Sequence, residues 1–154
     1  MGCSRFGERI ARGCDVQQTL IRPTTSEARR HVQLLLADQS AEVRYAAALL
    51  VTELMGNAIR HARGAESVKL NRSGAVFSAE VFDASPVLPT VQGVNPVSGS
   101  GLGLLVVSSL AKSWSAEPHE SGKVVRFELD IAPTENEPVP PHEGPAPHEE
   151  PNAR

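Results

Sequence analysis

Apolar residues recur along this chain at strand spacing and at helical spacing in turn. A short, mostly polar strand is predicted over Val16–Ile21, and Pro23 ends it. Residues 24–26 offer hydroxyl N-caps for a helix that is predicted from Glu27 to about Ala37. The pattern therefore begins with one strand and one amphipathic helix.

The next apolar stripe predicts a second helix from residue 41 to about 61, with Ser40 as its N-cap and Gly64 at its end. With successive residues 100° apart, one sector of this helix is apolar. It holds Ala47, Leu50, Val51, Leu54, Met55 and Ala58. The neighbouring sector holds Glu53, Asn57 and Arg60, so the helix is expected to bury one face and to present these side chains at its margin.

Alternation with a period of two returns in a predicted hairpin, with strands over residues 67–71 and 75–83 and a turn at 72–74. In the second strand Phe77, Ala79 and Val81 share a face, and Asp83 continues it. The pattern thus delivers a carboxylate to the end of an apolar face. Two interpretations stay open: Asp83 caps a turn, or it accepts a hydrogen bond from the exocyclic amine of a nucleobase.

A loop over residues 84–100 follows, and loops of this length are either functional or disordered. The run Gly99-Ser100-Gly101-Leu102-Gly103 closes it and opens a helix that is predicted from Leu104 to about Lys112. Glycines let the backbone approach an anion, and a helix N-terminus offers unpaired N–H groups. The segment is therefore interpreted as a lid over a polyphosphate, although such glycines often only form a turn.

The last pattern predicts a strand from Trp114, a turn at Gly122-Lys123 and a final strand over residues 124–131. The final strand points Val125, Phe127, Leu129 and Ile131 inward. Trp114 is interpreted as a core residue. The side chains interpreted as surface or solvated groups are Arg60, His61, Lys69, Lys123 and Arg126.

Composition fits one globular domain followed by a polar tail. The chain has 154 residues and a net charge of −3. From Pro133 onward there are five acidic residues and one Arg, a charge of −4, which leaves the body at +1. A body this close to neutral does not indicate nucleic-acid binding. The predicted organisation is a flexible leader over 1–14, one domain over 15–132 and a disordered Pro/Glu-rich tail over 133–154.

Nothing in the sequence predicts a membrane or secreted protein. No apolar run approaches the roughly 20 residues that span a bilayer, and residues 1–14 lack a secretory apolar region. Cys3 and Cys14 have no metal-ligand spacing and are expected to be free thiols in a reducing compartment. We therefore expect a cytoplasmic protein.

Glu53 and Asn57 lie four residues apart, on one edge of the second helix. A carboxylate beside a carboxamide on a mostly apolar helix is costly to bury without a ligand or partner. The pair predicts a site where the carboxylate orients a hydroxyl or water and the amide oxygen holds a hard cation. Solvent exposure at a helix margin is the alternative for both residues.

Three segments in this order resemble the GHKL superfamily of ATP-binding domains, which includes gyrase and the histidine kinases. Glu53-Leu54-Met55-Gly56-Asn57-Ala58 is similar to the family's E-x-x-x-N-A box, Asp83 to the acid of its next box, and residues 99–104 to its glycine box. The resemblance covers roughly residues 16 to 131 and is greatest to the bacterial anti-sigma-factor serine kinases. It implies an α+β fold of the Bergerat type, a two-layer sandwich with helices on one face of a mixed, mostly antiparallel sheet.

The resemblance also implies a role for each matching residue. Glu53 would be the general base, Asn57 a nucleotide-binding residue and the Mg²⁺ ligand, and Asp83 the acceptor for the adenine amine. The residues implied to line the triphosphate are Gly99, Gly101, Leu102 and Gly103. Two departures accompany these matches. The family's D-x-G-x-G is replaced by Asp83-Ala84-Ser85-Pro86-Val87, and valines at 124 and 125 stand where a Thr often faces the base, so that hydrogen bond is expected to be lost.

The function implied is that of an ATP-dependent protein serine/threonine kinase. It would transfer the ATP γ-phosphate to a Ser of an anti-anti-sigma protein of the STAS type and sequester a sigma factor. A homodimer is implied, with no direct contact to nucleic acid or membrane. The alternative is a non-catalytic module in which ATP only shapes a protein-binding surface; retained Glu53 favours the kinase, and the altered acid box keeps the module open. A two-layer domain without nucleotide is the third interpretation.

Overall fold

The computed structural model describes residues 15–90 and 102–131 of the chain. The elements in these ranges are β1 (Val16–Ile21), α1 (Thr25–Leu35), α2 (Ala41–Ala62), β2 (Ser67–Ser73), β3 (Val76–Asp83), α3 (Leu102–Leu110), β4 (Ser113–His119) and β5 (Gly122–Asp130). The predicted leader over 1–14, the predicted tail over 133–154, and the glycines at 99 and 101 lie outside the described residues.

The five strands form one sheet in the order β1-β2-β3-β5-β4. Every pairing between these described strands is antiparallel, whereas the resemblance implied a mixed, mostly antiparallel sheet. Helices α1 and α2 pack on the sheet, and α3 packs on α2. The predicted α+β class with a two-layer arrangement is confirmed.

Side-chain hydroxyls fix where α1 and α2 begin. Thr24 accepts a hydrogen bond from the Glu27 N–H, and the Glu27 carboxylate accepts one from the Thr24 N–H, which forms a capping box. Ser40 accepts from the Val43 N–H at the start of α2. These bonds satisfy backbone donors that have no partner within the helix, so the two helices start at the predicted caps.

The core lies between the sheet and the helices and is built mainly from Ala, Val and Leu. Phe77 of β3 and Phe127 of β5 meet at its centre, with ring centroids 5.9 Å apart. Of the inward positions predicted for the last strand, Val125, Phe127 and Ile131 are at most 2% exposed, and Leu129 is half-buried and packs against the core. Within residues 15–90 and 102–131, no helix combines the length and apolar character that crossing a membrane requires.

The first hairpin turn lies later than predicted. β2 continues through Arg72 to Ser73, and the turn consists of Gly74 and Ala75, where Gly74 takes a positive φ of 54°. The reason is that Arg72 is a buried residue of the strand whose guanidinium bonds to the turn between α1 and α2. Because Arg72 is paired inside the fold, β2 continues past residue 71, where the polar pattern predicted its end.

The second hairpin turn also lies elsewhere than predicted. Glu120 and Ser121 form it, while Gly122 and Lys123 are the first residues of β5. Lys123 stands directly opposite Asp83 in the β3–β5 register. This register places the ends of the two strands side by side at one end of the sheet, where the candidate site lies.

Candidate functional site

Asn57 lies on the last turns of α2 and is 5% exposed. Its neighbours on the buried face of the helix are Leu54, Met55 and Ala58. Glu53, one turn earlier, is half-buried. Solvent exposure, the alternative that the sequence left open for both residues, therefore does not describe Asn57.

The first turn of α3 lies against the Glu53 carboxylate. A Cβ atom placed on Gly103 would be 2.5 Å from Glu53 Oε2, a separation that side chains do not adopt. Glycine at position 103 thus permits this approach. A carboxylate next to the N-terminus of a helix is favoured by the free N–H groups and by the positive end of the helix dipole.

Arg60 brings a positive charge to the same place. Its Nη1 is 3.2 Å from the position that a Cβ on Gly56 would take, and its Nη2 is 3.6 Å from the corresponding position on Gly103. The guanidinium of this exposed residue therefore lies between α2 and α3, beside Glu53. From the sequence, Arg60 was expected to be a surface group. Its place in the same helical sector as Glu53 was the signal that it could belong to the site.

Trp114 helps to hold α3 in this position. Its indole N–H donates to the Ser108 hydroxyl at 2.9 Å and so connects β4 with α3. The ring packs against the core from a half-buried position, whereas the sequence predicted a plain core residue. Leu102, which precedes Gly103 in the first turn, is 47% exposed.

Asp83 ends the inner face of β3 and is 1% exposed. Its Oδ1 accepts two hydrogen bonds at 2.8 Å, from the Ser85 N–H and from Lys123 Nζ. Its Oδ2 is buried and has no hydrogen-bond partner among the described residues. One oxygen therefore caps a turn, as the first interpretation of the sequence held, while the other keeps the acceptor capacity that the second interpretation requires.

The prediction for Lys123 was wrong. Its side chain is 0% exposed and forms a buried ion pair with Asp83, whereas its polar character predicted a solvated charge next to the hairpin turn. Of the two valines that stand where a Thr often faces the base, Val124 is half-buried and lines the opposite face of the sheet together with Phe82, whereas Val125 is buried on the inner face. The residue that faces Asp83 is therefore Lys123.

The close approach of β3 and β5 depends on Gly122. A Cβ on this residue would collide with the Asp83 carbonyl oxygen and with Ala84. Ser85, which stands where the family pattern has a glycine, is 6% exposed and uses its N–H to hold the Asp83 carboxylate. The altered acid box thus still orients its acid.

The structure brings the predicted residues together in two groups. Glu53, Arg60 and Gly103 meet where α2 contacts α3, and Asp83 meets Lys123 and Ser85 at the ends of β3 and β5. Asn57 is on α2, which packs on both α3 and β3. In the described part of the chain, no group of three or more His, Cys, Asp or Glu side chains could hold a metal by itself.

Comparisons with known proteins identify the family of this chain. No curated protein matches the chain. Among solved structures, the nucleotide-free catalytic domain of the histidine kinase ThkA is similar, with 18% identity over 75% of this chain and 96% of that chain and a TM-score of 0.43. The family described as the histidine kinase-like ATPase domain matches residues 16–129, which include α2, the end of β3 and α3. The chain therefore belongs to the histidine kinase-like ATPase domain family.

Proposed function

We propose that this protein binds ATP with Mg²⁺ and transfers the γ-phosphate to a Ser of a partner protein. The observation that carries the proposal is the buried Oδ2 of Asp83, which has no partner among the described residues. A buried acceptor without a partner costs about 1–3 kcal/mol. The exocyclic amine of adenine is a donor that removes this cost, and membership of an ATPase family supports adenine as the base.

The polyphosphate end of the nucleotide fits the contact between α2 and α3. The first turn of α3 offers backbone N–H groups and the positive end of a dipole, and the Arg60 guanidinium lies beside it. Gly103 keeps this turn free of a side chain. Phosphoryl transfer requires mainly positioning and charge neutralisation, and these groups supply both.

Asn57 is the residue that this chain offers to Mg²⁺. Its amide oxygen is a ligand that the ion accepts, and the absence of an acidic cluster in residues 15–90 and 102–131 fits an ion held largely by phosphates and water. When bound, Mg²⁺ neutralises charge on the phosphate oxygens. Asn57 would hold its position through its burial on α2.

Glu53 would take the proton of the acceptor. The Ser Oγ of the partner attacks the γ-phosphorus, the bond from that phosphorus to the β–γ bridging oxygen breaks, and ADP leaves. The hydroxyl proton passes to the Glu53 carboxylate, which lies against the first turn of α3. Arg60 and Gly103 position the phosphate and do not exchange protons.

The partner class rests on the resemblance of the three boxes to the anti-sigma-factor serine kinases. The acceptor would be an anti-anti-sigma protein of the STAS type, and the unphosphorylated partner would release a sigma factor that the kinase otherwise holds as a cytoplasmic homodimer. The protein would not bind nucleic acid itself. We keep the non-catalytic ATP-binding module as the second candidate, because the acid box lacks both glycines of the family pattern and valines stand at 124 and 125.

Transfer of radiolabel from γ-labelled ATP to a STAS partner tests the proposal. Glu53→Gln should abolish transfer and leave ATP affinity within a few-fold of the parent, because the carboxylate acts on the acceptor and not on the base. Glu42→Gln, on the exposed first turn of the same helix, is the matched control and should transfer normally. Tight ATP binding without transfer by the parent protein would establish the non-catalytic module instead.

Isothermal titration with and without Mg²⁺ tests the metal ligand. Asn57→Ala should weaken ATP binding when Mg²⁺ is present, by about tenfold if one ligand is lost. The loss should be much smaller in EDTA, since no ion then needs the amide oxygen. An equal loss in both conditions would assign Asn57 a structural role.

A further inference from the structure

Lys123 is a buried charged residue that the proposed phosphoryl transfer does not use. Its side chain is 0% exposed, and its ammonium donates to Asp83 Oδ1 at 2.8 Å. Among the described residues this is its one hydrogen bond. An ammonium has three N–H donors, so donor capacity remains at Nζ.

The same carboxylate has capacity left on its other oxygen. Asp83 Oδ2 is buried without a partner in the described part of the chain. Since both side chains are at most 1% exposed, bulk water does not satisfy either group. The pair therefore presents an unused acceptor and an unused charged donor next to each other.

A nucleobase edge with a donor beside an acceptor is complementary to this pair. Adenine has such an edge, because its exocyclic amine donates and the neighbouring ring nitrogen N1 accepts. We propose that Asp83 Oδ2 accepts from the amine while Lys123 Nζ donates to N1, so that Lys123 is a specificity-determining residue of the nucleotide site. This inference rests on the proposed binding of ATP and adds a second contact to the base.

The register of β5 explains why Lys123 can act in this way. Lys123 is directly opposite Asp83 in the β3–β5 pairing. The N–H of Ser85, just past the end of β3, donates to the same carboxylate. Gly122 lets the two strand ends approach, since any side chain there would collide with the Asp83 carbonyl. Of the two positions where the resemblance placed a Thr, Val124 faces away, and Val125 lies on the buried face but has no hydrogen-bond donor in its side chain. The donor therefore comes from Lys123.

Nucleotide analogues that change one atom separate the two contacts. We would titrate the parent protein, Lys123→Met and Lys69→Met with Mg²⁺ and with ATP, 1-deaza-ATP, 7-deaza-ATP or purine riboside triphosphate. The first analogue lacks N1, the second lacks a nitrogen on the opposite ring, and the third lacks the amine. Lys69 is a matched control because it is also a strand lysine, but its ammonium is half exposed and pairs with Glu80 on the surface.

The parent protein should bind ATP roughly 10- to 100-fold more tightly than 1-deaza-ATP, the range for a hydrogen bond from a charged donor. In Lys123→Met this ratio should fall to about one, whereas Lys69→Met should keep the parent ratio. All three proteins should bind 7-deaza-ATP as well as ATP. A ratio near one in the parent, an unchanged ratio in Lys123→Met, or tighter binding of GTP than of ATP would overturn the inference.

A purely structural lysine gives a different result. Its loss would weaken ATP and 1-deaza-ATP equally, with no change in their ratio. If Lys123→Met does not fold, Asp83→Asn/Lys123→Met removes both buried charges and keeps a carbonyl acceptor, and its ratio should also be about one. Failure of the proposed function is distinct: the parent would then bind ATP no better than purine riboside triphosphate, or would bind neither.

Discussion

Two ion pairs lie at opposite ends of the inner face of the sheet, and they differ in how completely they are satisfied. Arg72 of β2 donates Nη1 and Nη2 to the two carboxylate oxygens of Asp38, at 2.5 and 2.8 Å, and Nη1 also reaches the Leu35 carbonyl at 3.1 Å. Asp38 remains half exposed, so water can complete its shell. Asp83 and Lys123 are fully buried, and Asp83 Oδ2 has no partner in the described residues.

The difference fits a structural pair at one end of the sheet and the proposed ligand site at the other. A bidentate arginine–carboxylate pair that also binds a backbone carbonyl has its hydrogen bonds made, and it ties the turn between α1 and α2 to the sheet. A buried pair with unused donors and acceptors remains costly until something else completes it. The incomplete pair is therefore where a ligand gains most from binding.

Asp83→Ala should give the largest effect on stability. It leaves the Lys123 ammonium buried without its counter-charge, which costs about 3–5 kcal/mol in comparable buried pairs. Urea unfolding without nucleotide measures this loss. Asp83→Ala/Lys123→Met should recover a large part of it, because the stranded charge is gone. If Asp83→Ala lowered the free energy of unfolding by less than about 1 kcal/mol, water would reach the Asp83–Lys123 pair as it reaches the exposed side chain of Asp38.

Arg72→Met should give the next largest effect and should leave the site intact. The variant loses the bonds to Asp38 and to the Leu35 carbonyl, for which we expect about 2 kcal/mol in the free energy of unfolding. ATP affinity should be unchanged, since Arg72 lies at the far end of β3 from Asp83. If Arg72→Met lost as much ATP affinity as Asp83→Asn, the two ends of the sheet would not differ in function.

Gly103→Ala should separate function from stability at the site end. A Cβ at this position would displace the Glu53 carboxylate, so phosphoryl transfer should fall at least tenfold if Glu53 acts as a general base. Stability should stay the same or rise by up to about 1 kcal/mol, because alanine is favoured over glycine in a helix. Ser109→Ala, at an exposed position of the same helix, is the control and should transfer normally. If Gly103→Ala transferred phosphate as fast as the parent, the position of the Glu53 carboxylate would not matter for the reaction, and Glu53 would not be the general base.

The smallest effect should be a pH dependence at the structural end. Hydrogen bonds from Arg72 lower the pKa of Asp38 in the folded protein. A lowered pKa stabilises the fold above the unfolded value of about 4, and this contribution is lost as the pH falls through the folded value. Because Asp38 is half exposed, solvent screening limits it to below about 1 kcal/mol. The stability gap between the parent and Arg72→Met should therefore narrow between pH 7 and pH 3, and a constant gap would contradict the pairing.

Local patterns in the sequence were sufficient for most of the elements. The hydroxyl caps at Thr24 and Ser40 and the apolar stripe of α2 depend on neighbours within a few residues. The start of α2 agrees with the prediction, and α1 begins at Thr25, two residues before the predicted start. The alternation in β3 placed Asp83 on the buried face, which its 1% exposure confirms. The roles of Glu53, Asn57 and Asp83 in catalysis and binding stay predictions.

Both errors at the hairpins concern charged residues, and they share one cause. Polar character predicted that Arg72 and Lys123 would lie in turns at the surface. Each instead points inward and pairs with an acid far along the chain, 34 residues away for Arg72 and 40 for Lys123. The alternation of Val125 and Phe127 was a signal for Lys123, because the residue two positions earlier in a strand shares their face.

The sequence by itself determined the order of helices and strands and most of the faces that they bury, because these follow from short-range periodicity and capping. Tertiary structure decided which charges are buried and which partner each one meets. Strand register and the packing of α3 on α2 bring together atoms that no local pattern connects, such as Asp83 with Lys123 and Glu53 with Gly103. The hydrogen-bonding capacity left open at Asp83 exists only once that register has removed water from both side chains.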